Sequence, residues 1–146
     1  MKLNKATLIA LSLFMTNSAL AKVESPISTK QMATVVGYGK ALETHDAAMM
    51  ERLFKDNGVV VSTSKGKVNA KSFFRDFLPY VVSAKLTFEN FYQTTESKNS
   101  YSASFDLDMT LESGEKIHSH FIDEFHFKNN ETKLSKVVMY ESPKYR

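Results

Sequence analysis

The hydrophobic period of this chain changes once, at Pro79, and that change limits the fold to helices first and sheet second. Before Pro79 the apolar residues recur at helical spacing. Met32, Val35, Val36 and Leu42 form one set, with Tyr38 beside it. Met49, Met50, Leu53 and Phe54 form a second, and Phe73, Phe74 and Phe77 a third. Each set falls on one stripe of a helix. Beyond Pro79 the segments near 85–95, 101–112, 115–128 and 132–142 change to a period of two. The second is the cleanest. Tyr101, Ala103, Phe105, Leu107, Met109 and Leu111 share one face; Ser102, Ser104, Asp106, Asp108, Thr110 and Glu112 share the other. The breaks are short and polar (Ser97-Lys98-Asn99, Ser113-Gly114, Asn129-Asn130), as antiparallel hairpins require. One face is expected under the helices and the other in water. With no internal repeat or linker, this is one α+β domain, three N-terminal helices packed on an antiparallel sheet.

Punctuation along the chain supports that order. Ser28-Thr29-Lys30-Gln31 fits a capping box, with Ile27 and Met32 placed as a hydrophobic staple. Gly37 and Gly39 each cost up to ~1 kcal/mol in a helix, which makes sense where another segment packs closely. Asp46 is a good N-cap for a second helix over 47–54, and Asp56-Asn57-Gly58 a stop. Val59-Val60-Val61 reads as a short strand and Ser64-Lys65-Gly66 as a turn. Asn69 caps the third helix, and Pro79 ends it because proline lacks the amide to continue.

The first 21 residues have the build of a secretory signal peptide. Lys2 and Lys5 make a basic start, Ala6 to Met15 an apolar run, and Ser18-Ala19-Leu20-Ala21 a small-residue cleavage site. The expected division is signal peptide 1–21, leader 22–27 and a single domain over 28–146, with the product periplasmic or secreted. Cleavage after Ala21 leaves 125 of the 146 residues, enough for one core. No later segment approaches the roughly 18 apolar residues of a membrane span. The pI near 9.0 overstates the charge, because loss of Lys2 and Lys5 leaves 17 basic residues against 16 acidic. A nearly neutral domain without a basic stripe is a poor nucleic-acid binder. The absence of cysteine excludes thiol chemistry and cysteine-based zinc sites and leaves stability to apolar burial.

Several motifs in this order resemble the nuclear transport factor 2-like superfamily, in particular its SnoaL-like branch with the ketosteroid isomerases and polyketide cyclases. They are Tyr38-x-x-Ala41-Leu42-x-x-x-Asp46, Leu53-Phe54-x-Asp56, Val59-Val60-Val61, Gly66-Lys67-Val68 leading to Phe73-Phe74, and Ile122-Asp123-Glu124-Phe125-His126-Phe127. The resemblance spans about residues 28–142. It implies a strongly curved sheet wrapped round the helices as a cone, an apolar interior pocket, and dimers through the outer face of the sheet.

It also implies roles for particular residues. Tyr38 matches the isomerase tyrosine that donates to a developing oxyanion, and Asp123 the neutral aspartic acid that joins it. Independently of any relative, Asp123 is an acid in the middle of an apolar face (Ile117, Ser119, Phe121, Asp123, Phe125, Phe127), where a charge is costly. The isomerase base position falls at Ser62, which moves no proton at neutral pH without a partner base. The usual isomerisation is therefore not expected. Glu141 is a substitute carboxylate if Val137, Met139 and Glu141 face inward; the opposite register buries Leu134, Lys136, Val138 and Tyr140, and the apolar pattern leaves both open. Phe73, Phe74, Phe77, Phe105, Phe121 and Phe125 are expected lining, made adaptable by Met49, Met50, Met109 and Met139. The rival reading of these residues is a solid core. His118 and His120 point the same way on the outer face; His-x-His is a weak metal signature, with Glu124 or His126 further along, and the expected reading is a solvated or dimer-facing pair. His45 is expected in an exposed turn. No metal or cofactor is called for.

The leading expectation is a binder of a small, largely apolar ligand, held at a pocket of Tyr38, Asp123, Ser62, Phe74, Phe105, Phe121, Phe125, Met139 and Glu141. Two alternatives stand beside it. One is an isomerase, cyclase or lyase with a non-standard base. The other is a non-catalytic module that forms homodimers or binds a partner through the sheet, for which Ile122, Val138 and Tyr140 supply apolar surface.

Overall fold

The computed structural model describes residues 26–94 and 97–143. The signal-peptide segment and most of the leader lie outside them. The elements run α1 (Pro26–Glu43), α2 (Ala47–Leu53), β1 (Phe54–Ser62), β2 (Gly66–Asn69), α3 (Ala70–Phe77), a single 3-10 turn (Leu78–Tyr80), β3 (Val81–Gln93), β4 (Ser100–Leu111), β5 (Lys116–Phe127) and β6 (Leu134–Pro143). The six strands form one curved sheet in the order β2-β1-β6-β5-β4-β3. The three helices fill its concave side.

The helix signals act as the sequence suggests in two of three cases. Asp46 Oδ1 accepts from the Met49 amide at 2.7 Å, and Asn69 Oδ1 from the Ser72 amide at 3.0 Å. The capping box is the exception. The helix already includes Pro26 and Ile27, so Ser28 stands inside its first turn. Gln31 is fully buried and joins distant parts of the chain. Its Nε2 donates to the Glu131 carbonyl at 2.8 Å and Asn99 Oδ1 at 3.3 Å, while its Oε1 accepts from the Tyr101 hydroxyl at 2.9 Å. A buried amide must satisfy both ends, and partners far along the sequence do so here.

Gly39 meets its expectation. A Cβ there would lie 2.5 Å from two ring carbons of Phe88 on β3, so this turn of α1 packs directly on the sheet. At Gly37 a Cβ would make only ordinary contact with Leu53, at 3.4 Å.

The sheet departs from the sequence reading at its first edge. Asp56-Asn57-Gly58 is no helix stop: α2 ends at Leu53 and the chain enters β1 directly, with a register shift between Phe54 and Val59. Gly66–Asn69 forms a short second strand paired antiparallel with β1, and β1 lies parallel to β6, so the sheet is mixed. The other three pairings are antiparallel, as expected. The last strand resolves its two registers. Val137 is fully buried, with Met139 and Glu141 following on the inner face. Tyr140 is 52 % exposed outside. Leu134 is buried too, because the register shifts between His126 and Phe127 at the start of β6. Among the described residues no helix is long and apolar enough to cross a membrane.

Candidate functional site

Between α1, α3 and the inner face of β4–β6 lies a cavity of about 280 Å³. Its walls are mostly apolar. Phe73, Phe74 and Phe77 come from α3; Phe105, Leu107, Met109 and Leu111 from β4; Ile117 and Phe121 from β5; Met139 from β6; and Leu42 from α1. The mouth is polar, with Thr63, Ser64 and Lys65 in the β1–β2 turn, Glu115 before β5, and Glu141.

Tyr38 and Asp123 form part of the same wall, and both are fully buried. The Tyr38 hydroxyl donates to Asp123 Oδ2 at 3.1 Å. The phenol is fixed by edge-to-face contacts with Phe125 (centroids 5.1 Å apart), Phe74 (5.8 Å) and Phe54 (6.5 Å). Such packing leaves the ring one orientation, aimed at β5. Asp123 Oδ1 is buried and has no hydrogen-bond partner among the described residues.

Burial decides the protonation of this pair. It pushes the Asp123 carboxyl up to about 8, opposed only by the hydrogen bond from Tyr38. It also holds the Tyr38 phenol well above its ordinary range, helped by the negative charge of an ionised Asp123 and then by the hydrogen bond. At neutral pH both groups keep their protons. Since Oδ2 accepts from Tyr38, the acid's own proton belongs on Oδ1, the unpartnered atom. The pair therefore offers one hydrogen-bond donor within a mostly apolar enclosure.

Glu141 is different. It is the cross-strand partner of Phe121, one inward row from Asp123 towards the mouth, and is exposed. Its carboxylate accepts from Ser119 Oγ at 2.7 Å and from Thr63 Oγ1 at 3.3 Å, which fixes its orientation. Ser62 lines the cavity and is buried, but its Oγ meets only Ser64, through the hydroxyl at 3.2 Å and the amide at 3.3 Å. Among the described residues no hydrogen bond joins it to a titratable group that could take its proton.

Eight of the nine residues expected at the pocket line this cavity. Phe125 does not; it lies behind Tyr38 as core. Met49 and Met50 also fall outside the lining, in the helical layer. Sequence reasoning missed the supports of Glu141. Ser119 could have been found from its inward position on β5, but Thr63 depends on how the β1–β2 turn meets β6. His118 and His120 face outward, paired with Asp108 and Asp106 on β4. His45 lies exposed in the α1–α2 turn at φ 43°.

No family model matches the sequence, and neither does any curated protein. Solved structures do. An LEH-like epoxide hydrolase from Mycobacterium tuberculosis superposes with a TM-score of 0.65 at 10% identity, over 80% of this chain and 86% of that one. The Δ5-3-ketosteroid isomerase of a Mycobacterium species gives 0.63 at 14% identity, over 76% and 92%. An NTF2-like protein from Cytophaga hutchinsonii gives 0.57 at 14% identity, over 77% and 90%. The chain has the nuclear transport factor 2-like fold. At these identities the likeness concerns the backbone, and the cone's functional content rests on its own side chains.

Proposed function

We propose that this protein is exported and binds a small, largely apolar molecule that carries a hydrogen-bond-accepting oxygen. The observation that carries the reading is the Tyr38–Asp123 pair, bonded at 3.1 Å, with an unpartnered oxygen in the wall of an apolar cavity. A buried polar atom without a partner costs about 1–3 kcal/mol, so a protein keeps one where a ligand will use it. A neutral acid there prefers a ketone, ether or phenol oxygen to an ammonium group. The cavity is at the small end of ligand pockets, which run from roughly 300 Å³. Structures of the same fold include a Mycobacterium tuberculosis protein solved with estradiol-17β-hemisuccinate and a designed 17-OHP binder. Export rests on the signal-peptide pattern of the first 21 residues.

A matched pair of probes tests oxygen recognition: α-tetralone, a fused-ring ketone, and tetralin, the same skeleton without oxygen. Wild type is expected to bind the ketone about tenfold more tightly in calorimetric titration. Asp123→Leu should erase most of that preference, whereas Tyr38→Phe, which leaves the acid's own proton in place, should retain part of it. Equal binding of the two probes by wild type would refute the reading.

One observation favours an enzyme as a second reading. Glu141 is a carboxylate oriented by two hydroxyls in the same cavity as the neutral pair. Donor and base together are what proton abstraction beside a carbonyl needs. Its test is exchange of the α-hydrogens of α-tetralone in D2O. Wild type would accelerate it and Glu141→Gln would not; no acceleration by wild type leaves a binder alone. The partner-module reading has exposed apolar side chains on the sheet in its favour, among them the Ile122–Tyr140 cross-strand pair.

A further inference from the structure

The outer face of the sheet carries a second cluster of ligating side chains, remote from the cavity. His120 points outward from β5 and its cross-strand partner Asp106 from β4, with Nδ1 3.0 Å from Oδ1. Glu89 belongs to the edge strand β3 and falls at the register shift between Phe88 and Asn90. A bulge of this kind re-aims a side chain. The Glu89 carboxylate is exposed but leans towards β4, and Oε2 comes within 3.8 Å of His120 Nδ1. Neighbouring strands are about 4.8 Å apart, so Glu89 and His120, on strands two spacings apart, meet over β4 with each side chain covering part of the gap. One ligand atom from each of the three residues lies within 4.8 Å of the other two.

We propose that Glu89, Asp106 and His120 form a site for a divalent transition-metal ion, zinc first among them. Zinc bonds of about 2.0–2.2 Å in a tetrahedron set neighbouring donor atoms roughly 3.4 Å apart. The distances from His120 Nδ1, 3.0 and 3.8 Å, bracket that edge, so closure needs only small rotamer changes. The donor set points the same way. An imidazole suits zinc, nickel or copper, whereas calcium and magnesium take oxygen ligands. Two carboxylates would balance the ion's charge, and water would complete the shell. The three side chains rise from three paired strands, which gives them a rigid base.

The adjacent row provides an internal control. His118 and Asp108 form the same cross-strand pair, but the β3 neighbour of Asp108 is Lys85. Lys85 places a positive charge directly opposite Asp108, whereas Thr87 stands opposite Asp106 and Glu89 meets that pair diagonally from two residues further along β3.

The experiment is zinc titration of tag-free protein by calorimetry, with metal content measured after dialysis. Wild type should hold one zinc per chain. His120→Ala and Glu89→Gln should weaken binding by more than the roughly 10- to 100-fold typical of losing an outer-shell partner. His118→Ala should keep the zinc. Thermal melts show that each variant is folded, and Glu89→Gln alters an exposed side chain on an edge strand, so it serves even if His120→Ala does not fold. No zinc on wild type, undiminished binding in both ligand variants, or loss in His118→Ala would each overturn the assignment.

Discussion

Asp123→Asn is expected to make the protein more stable at neutral pH. In the unfolded chain the carboxyl titrates near its ordinary value of 3.8; in the fold it titrates near 8. Between those values the folded state holds a proton that the unfolded state has lost. Stability therefore falls as pH rises through this window, by about 1.4 kcal/mol for each pH unit, and levels off above pH 8. At pH 7 the deficit relative to acid conditions is on the order of 4 kcal/mol. Asparagine has nearly the same shape, can accept from Tyr38 and carries no titrating proton. Urea melts should show wild type and variant close together at pH 4 and separating steadily up to pH 8, the variant ahead. A gap that stays constant across that range would contradict the account. An acid retained at such a cost in the wall of a mostly apolar cavity is the mark of a site kept for use.

The second large effect is expected at Phe74. This residue is 1 % exposed and touches three other rings: Tyr38 at 5.8 Å, Phe54 at 5.7 Å and Phe73 at 5.0 Å between centroids. It joins α3 to α1 and β1 and walls the cavity as well. Phe74→Ala should lose about 3–5 kcal/mol, the cost of the removed surface plus the void left behind. Phe73→Ala, at a half-buried ring on the same helix, should lose distinctly less. The Phe74 void opens beside the existing cavity and also frees the Tyr38 ring on one side, so a larger, less selective pocket should accompany the loss. Denaturant melts of the two variants measure the difference; a Phe74→Ala loss below about 1 kcal/mol would show that the helical layer closes over the gap.

What the sequence made legible follows from how local each signal was. Tyr38 could be placed beside the buried face of a helix, and Asp123 on the apolar face of a strand, by counting periods; both lie in the cavity wall. The caps at Asp46 and Asn69 were legible because they act within three residues. Gln31 misled for the opposite reason. Its partners at Asn99, Tyr101 and Glu131 lie 68, 70 and 100 residues away, and a local capping motif fitted the same letters. The parallel pairing of β1 with β6 and the bulge at Glu89 are likewise settled between strands and leave no periodic trace. Phe125 shows the limit of a shared face. It lies two residues from Asp123 on the same side of β5, yet the Tyr38 ring covers it and keeps it from the cavity. The register of β6 was undecidable by apolar count because Leu134 and Val137 are both buried, on either side of a register shift.

All of this depends on Asp123 being a neutral donor in the folded protein at pH 7. The direct measurement is the carboxyl carbon of Asp123 by carbon-13 NMR across a pH titration, assigned by its absence in Asp123→Asn. A midpoint near 8, with the protonated shift still present at pH 7, is the predicted result. A midpoint near 4 would mean a carboxylate faces the cavity, and the pocket would then select cations or donors instead of a ligand's accepting oxygen.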